Sequence, residues 1–336
     1  MSHQPLDLLR QWSPQRDSSQ WVMGVVYATS GSAYRKAGAL MLFGSDGQQL
    51  GMLSGGCLES DLHNKARRVM HDLRSTLVRY DGNDEDDMAF QMGIGCGGTV
   101  DVMLQAIDAG NNYLGLLFAL EQLQQRRPVD YSLTIGASIA SHSHTYSVTP
   151  SAHQQERASM DRHTLSIPLL PSPHLFVAGG GIDARPLVDI ADTLGWHISL
   201  WDPRPAHGRR EHFSKVNQLL SDDASSLSPF FTNHPVDIAV IMSHSIDIDA
   251  QALLALSKTA VKYIGLLGPE HRMQQVLARA DMAKPRVLSG PAGLSIGGTL
   301  PESIALAILA EAQAAMAGRQ GGSISGVLDL CALSPC

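Results

Sequence analysis

The stretch from His174 to Asp202 constrains the fold more than any other. Leu175-Phe176-Val177-Ala178 is an apolar run suited to a buried parallel strand, and Gly179-Gly180-Gly181 follows at once. Residues 182–194 then carry apolar side chains at helical spacing, and Gly195 ends that helix. His197-Ile198-Ser199-Leu200-Trp201 reads as a second strand, closed by Asp202. Strand, glycine turn, helix, strand and acid in this order make Gly179-x-Gly181-x-x-Ala184 a dinucleotide-type fingerprint in its expected setting. Glycines let the backbone turn tightly against a pyrophosphate, and the helix start offers free N–H groups and a positive dipole end. Asp202 stands where a ribose hydroxyl is held in such units.

The alternation continues. Residues 236–242 read as a buried strand ending at Ser243-His244-Ser245, residues 250–257 as a helix, and residues 261–266 as a strand. A helix starts at Glu270, and Pro301 opens a last long helix to Met316, where proline is tolerated in the first turn. This predicts an α/β protein with a C-terminal Rossmann-like doubly wound parallel sheet. A smaller N-terminal α/β domain precedes it. Strands are expected at 21–28, 39–43, 50–53, 75–80, 99–107 and 131–138, with a further candidate at 145–148, and helices at 58–73 and 113–125. Residues 138–163 read as a polar, irregular connector containing His142, His144, His153 and His163. The expected division is 1–168 for the N-terminal domain with its connector, 169–318 for the Rossmann-like domain and 319–336 for a tail.

A chain of 336 residues can bury two cores, and 44% apolar residues is ordinary for a soluble protein. A net charge of −7 argues against nucleic acid or an anionic membrane as partner. No apolar run approaches the roughly 20 residues of a membrane span. The first twelve residues lack the basic-then-apolar pattern of a leader. Four scattered cysteines, Cys57, Cys96, Cys331 and Cys336, do not form a disulfide framework, so a cytoplasmic setting is expected.

Two of those cysteines sit in glycine loops. Cys57 lies in Ser54-Gly55-Gly56-Cys57-Leu58-Glu59, at the start of a helix. A thiol facing unpaired N–H groups at a helix start is suited to act as a soft ligand or nucleophile. Arg35 and Lys36, if near, reinforce that, while Glu59 opposes it by like charge. Cys96 lies in Met92-Gly93-Ile94-Gly95-Cys96-Gly97-Gly98. A small cysteine packed under a turn is the alternative for either. Neither has the short spacing of a zinc site. Arg35 and Lys36, with Ser30 and Ser32, could bind an anion, or form an ordinary charged loop. His244 ends a parallel strand, where open sheets place ligands, and could touch a ligand, act as acid or base, or be structural.

Together these residues resemble the XdhC/CoxI family, accessory factors of xanthine dehydrogenase and related molybdenum hydroxylases. The N-terminal match is the run from Thr29 to Ala39, then Ser54-Gly55-Gly56-Cys57-Leu58-Glu59, then Gly93-Ile94-Gly95-Cys96-Gly97-Gly98. The C-terminal match is the glycine turn, Trp201-Asp202-Pro203-Arg204, Ser243-His244, Tyr263-Ile264-Gly265-Leu266-Leu267-Gly268, and the run from Ile296 to Ala305. The resemblance implies a chaperone that binds the molybdenum cofactor, a molybdopterin with a dithiolene-bound metal. It further implies help in exchanging the terminal oxo ligand for sulfur with a cysteine desulfurase, and delivery to a molybdenum hydroxylase apoenzyme. Cys57 matches the family cysteine expected to serve the cofactor and its metal. Arg35, Lys36, Gly55, Gly56, Cys57, Cys96, Gly179, Gly180, Gly181, Asp202 and His244 are the expected cofactor-binding residues. In some members the cofactor is a cytosine dinucleotide, which would give the crevice a nucleotide-binding role.

One departure matters. Many members place a histidine just after the glycine turn, where this chain has Ile182 and then Asp183, and an acid there repels a phosphate unless it points away. The rival reading is an NAD(P)-dependent oxidoreductase, with Asp202 suited to NAD and Arg204 to an extra phosphate. Against it, a proton donor other than His244 is hard to name. The expected protein is thus a maturation factor rather than a catalyst, acting as a homodimer.

Overall fold

The computed structural model describes residues 4–82, 98–140, 145–151 and 157–325. The chain forms two compact units, residues 1–172 and 173–336.

The first unit is built on a five-stranded antiparallel sheet of order β3-β2-β1-β5-β4. Its strands are β1 (Trp21–Ser30), β2 (Leu40–Gly44), β3 (Gln49–Gly51), β4 (Thr76–Asp81) and β5 (Thr99–Ile107). The central strand β1 is buried on both faces, which is why Trp21 to Val26 is almost wholly apolar. Val22 and Val26 face helix α2 (Glu59–Asp72), through Leu62, Ala66 and Val69. Trp21, Met23 and Val25 face the opposite core, shared with α1 (Pro5–Trp12) and α3 (Leu116–Gln124). β1 pairs with β5 from Trp21↔Ile107 to Ser30↔Thr99, with a bulge between Val26 and Ala28.

Two expectations change in this unit. The helix expected from Tyr113 starts at Leu116, because Asn112, Tyr113, Leu114 and Gly115 all take left-handed backbone angles. An Asp108–Asn111 capping box precedes that turn, and the Tyr131 hydroxyl donates to the Leu114 carbonyl at 2.9 Å, holding it. The expected connector instead contributes two short strands, β7 and β8, to a second antiparallel sheet of order β7-β6-β9-β8. That sheet comprises β6 (Val129–Thr134), β7 (Tyr146–Pro150), β8 (Ser159–Asp161) and β9 (Thr164–Leu169). Leu165, Ile167 and Leu169 alternate with polar neighbours and enter the core, a strand signal at period two. Pro168 is tolerated because β8 pairs β9 only as far as Ser166. His163 is exposed, while His142, His144 and His153 lie outside the described residues.

The second unit is a six-stranded, all-parallel sheet of order β12-β11-β10-β13-β14-β15. Its strands are β10 (His174–Ala178), β11 (His197–Trp201), β12 (Gln218–Leu220), β13 (Ile238–Ile241), β14 (Tyr263–Leu266) and β15 (Leu288–Ser289). Helices α4 (Ala184–Thr193) and α8 (Pro301–Met316) cover one face. Helices α5 (Leu227–Asn233), α6 (Ile246–Leu256) and α7 (Glu270–Arg279) cover the other. Strand order reverses between β10 and β13, the switch point at which open α/β sheets form a ligand crevice. The Rossmann-like sheet is therefore as expected, with β12 and β15 added at its edges. Among the described residues no helix is long and apolar enough to cross a membrane.

Candidate functional site

In the first unit the loop before α2 is wound around one carboxylate. Glu59, 7% exposed, accepts the backbone N–H groups of Leu53 at 3.1 Å, Ser54 at 2.8 Å and Gly56 at 3.0 Å, and the Ser54 hydroxyl. The Leu58 N–H donates in turn to Ser54 Oγ at 2.9 Å. Burial pushes the Glu59 carboxyl up, but the hydrogen bonds from Ser54 and Leu53 outweigh it and hold the group below its ordinary value. Gly55 and Gly56 take φ of +101° and +111°, angles that glycine alone adopts without strain. The result is a tight loop whose inside is filled by Glu59 and whose outside carries Cys57, a free and exposed thiol.

Residues 30–38 lie alongside this loop. The Tyr34 ring stands 3.6 Å from where a Gly55 Cβ would be, and Tyr34 is 65% exposed. Gly98 packs beneath the same residues: a Cβ there would fall 2.2 Å from the Ser32 carbonyl oxygen and 2.7 Å from that of Ser30. Cys96 itself lies outside the described residues. Arg35 is half-buried and Lys36 exposed, and neither meets a carboxylate among the described residues. Sequence reasoning gives Tyr34 no role. The signal for it is an aromatic residue inside a loop of small and hydroxylic neighbours.

In the second unit the glycine turn sits at the switch point. Gly179 has φ +121°, and a Cβ there would lie 2.6 Å from the Ser243 backbone. Gly180 packs on Gly208, where a Cβ would lie 2.2 Å from the backbone nitrogen. The expected ribose acceptor, Asp202, is 1% exposed and already engaged. It accepts the Gly180 N–H at 2.8 Å, the Arg204 N–H at 3.0 Å, and Arg204 Nε and Nη2 at 2.8 and 2.7 Å. Burial raises the Asp202 carboxyl, yet the bonds from Arg204 and Gly180 prevail and keep it below its ordinary value. Arg204, which the oxidoreductase reading assigns to an extra phosphate, is committed to this pair.

Asp183 does not cap α4 with its side chain. Its Oδ2 lies 2.6 Å from His244 Nε2, so the acid after β10 joins the histidine after β13 across the switch point. Gly181 makes room for it, since a Cβ there would lie 2.7 Å from Asp183 Oδ1. His244 is held at φ +62°, and Ser243 before it is tied to the fully buried Asp249, which pairs with Arg272 at 2.6 Å. Sequence reasoning missed Asp249 and Arg272, which sit in helices and carry no motif. Ile182, beside the turn, is 75% exposed.

Among the described residues no three His, Cys, Asp or Glu side chains converge as a metal cage. Cys57 can offer a metal one thiolate ligand, which suits a metal that arrives already ligated.

Residues 175–312 match the family described as the XdhC Rossmann domain, and residues 15–81 match the XdhC and CoxI family. A probable xanthine dehydrogenase subunit of Bacillus subtilis is 30% identical over 333 residues, covering 92% of this chain and 96% of that protein. The molybdenum cofactor insertion chaperone PaoD of Escherichia coli is 23% identical over 286 residues, covering 84% and 79%. The crystal structure of a xanthine dehydrogenase from Bacillus halodurans superposes with a TM-score of 0.79 at 29% identity, covering 98% of this chain and all of that one. With its N-terminal cysteine loop, its parallel sheet and a relative this similar along nearly its whole length, the chain belongs to the XdhC and CoxI family.

Proposed function

We propose that this protein is a maturation factor for a molybdenum hydroxylase: it binds the molybdenum cofactor, holds it during sulfuration, and delivers it to the apoenzyme. The carrying observation is Cys57, a free thiol held outward on a loop that Glu59 braces from inside. A thiolate there can ligate a metal that already has dithiolene sulfurs. The exposed Tyr34 ring beside Gly55 gives a flat heterocycle such as a pterin a face to stack on. Arg35 and Lys36 belong to the same loop and suit the phosphate of the pterin side chain. Cys96, in the second glycine loop, is the further ligand in this proposal. The family relatives named for xanthine dehydrogenase and for cofactor insertion support the same role.

A molybdenum hydroxylase apoenzyme and a cysteine desulfurase are the partners in this reading, with the protein acting as a cytoplasmic homodimer. Gly179, Gly180, Gly181 and His244 lie at the switch point of the second unit, where a sheet of this kind would take a nucleotide. Asp183 stands at the helix start there, and the Gly180 N–H is spent on Asp202. Both features favour the pterin without a nucleotide tail, and both count against NAD(P).

The test is to incubate the purified protein with molybdenum cofactor and to pass it through gel filtration. Pterin fluorescence should co-elute with the wild type and not with Cys57→Ala. Equal retention by both removes Cys57 from the reading. Turnover of NADH or NADPH with a carbonyl substrate would replace it with the oxidoreductase.

A further inference from the structure

The second unit carries a second feature at the end of its sheet opposite the glycine turn. A depression of about 530 Å3 is bounded by Lys262, Lys284, Arg286 and Arg319. In a parallel sheet all strands start at one edge. Lys262 directly precedes β14, Lys284 and Arg286 precede β15, and Arg319 follows α8, which runs back against the strands. All four cations are exposed, and none pairs with a carboxylate among the described residues. Such a gathering stands out in a chain of net charge −7.

The floor has the opposite character. Glu311 accepts from the Tyr263 hydroxyl at 2.5 Å, the Ser289 hydroxyl at 2.9 Å and the Gly293 N–H at 2.7 Å. The carboxyl end of α8 also faces it, through Ala314 and Ala315, and brings the negative end of a helix dipole. A compact phosphate entering the depression would meet Glu311 and that helix end. A chain with carboxylates spread along it would instead keep its charges at the rim, and lay a backbone N–H or an apolar side chain over the floor and Leu294.

We infer that the rim formed by Lys262, Lys284, Arg286 and Arg319 is a docking surface for an acidic segment of a partner protein. Because it lies at the amino ends of the strands, an engaged partner leaves the glycine-turn end of this unit uncovered.

The experiment titrates the full-length protein into a fluorescein-labelled deca-glutamate peptide and follows anisotropy. Binding should weaken steadily as NaCl rises from about 50 to about 300 mM. The double variant Lys284→Glu/Arg286→Glu should bind at least tenfold more weakly. Arg67→Glu/Arg68→Glu, which changes the net charge equally but on helix α2 of the first unit, should bind as the wild type does. On the wild type, the peptide should protect amides of residues 284–291 and 311–320 from hydrogen exchange. Absence of binding, equal loss in both double variants, or protection elsewhere would overturn the inference. Displacement of the peptide by inorganic pyrophosphate at equimolar charge would overturn it too, in favour of a compact anion.

Discussion

The Asp202 carboxylate accepts the Gly180 backbone N–H at 2.8 Å, so the acid at the end of one strand fixes the glycine turn at the end of its neighbour. Arg204 closes the arrangement from outside with two further bonds to the same carboxylate. In a dinucleotide enzyme this acid faces the ribose. Here it serves the protein's own backbone. The fingerprint therefore specifies the turn and its packing, and does not by itself specify the ligand.

Replacing Asp202 with asparagine should be costly. The amide can accept fewer bonds, and it leaves Arg204 without its counter-charge over a buried site. Arg204 keeps partial access to water, so the loss should be about 1–2 kcal/mol, chiefly from weakened hydrogen bonds to a buried acceptor. Asp202→Asn should lower the melting temperature by several degrees, whereas Arg185→Ala, on an adjoining helix turn, should change it little. A melting temperature unchanged in Asp202→Asn would show that the turn stands without its brace.

Acid should weaken both units by the same route. Glu59 and Asp202 are each held below their ordinary values by hydrogen bonds that outweigh burial. A carboxyl depressed in the folded state contributes stability that is whole above its unfolded value, near pH 4 for these groups. As pH falls, the unfolded chain takes up the proton first, and the contribution is lost as pH drops through the folded values. Melting temperatures measured from about pH 6 to about pH 3 should therefore decline. The decline should be shallower in Glu59→Gln and in Asp202→Asn, and a flat wild-type profile would contradict the assignment.

The parallel sheet was legible because β10, β11, β13 and β14 are short apolar runs set among polar segments, with a glycine turn directly after β10. The strands β12 and β15 were not, since three and two residues carry too little periodicity. The second antiparallel sheet was partly hidden, for a different reason. Residues 131–138 and 145–148 could be read as strands, near β6 and β7, but β8 is an exposed polar edge, and the alternation of Leu165, Ile167 and Leu169 that marks β9 went unread. At the candidate site, the Cys57 loop could be read from its glycines. Its brace could not. Glu59 gathers three backbone N–H groups and a hydroxyl in space, yet in sequence it is a plain first-turn acid.

Tyr34 should matter for the ligand and not for the fold. Its ring is exposed and rests on Gly55, so its removal should leave stability within about 0.5 kcal/mol of wild type. Loss of a stacking face costs roughly 1 kcal/mol, or about fivefold in affinity. Tyr34→Ala should accordingly bind the pterin about fivefold more weakly, and Tyr34→Phe, which keeps the ring, should match the wild type. Fluorescence quenching of a free pterin on titration with each protein separates the two. Equal affinity of the alanine and phenylalanine variants would exclude stacking.

Asp183 decides what the helix start admits. A carboxylate beside the first-turn N–H groups of α4 opposes a phosphate that those groups would otherwise attract. Its Oδ2 is engaged by His244 Nε2 at 2.6 Å, which holds the acid at this position. The wild type should therefore bind NADH or pyrophosphate poorly. Asp183→Asn removes the charge and keeps the side-chain shape, so both anions should bind several-fold more tightly. Calorimetric titration of the two proteins at low salt reads the difference directly. Tight NADH binding by the wild type, unchanged in Asp183→Asn, would mean that this acid does not guard the turn.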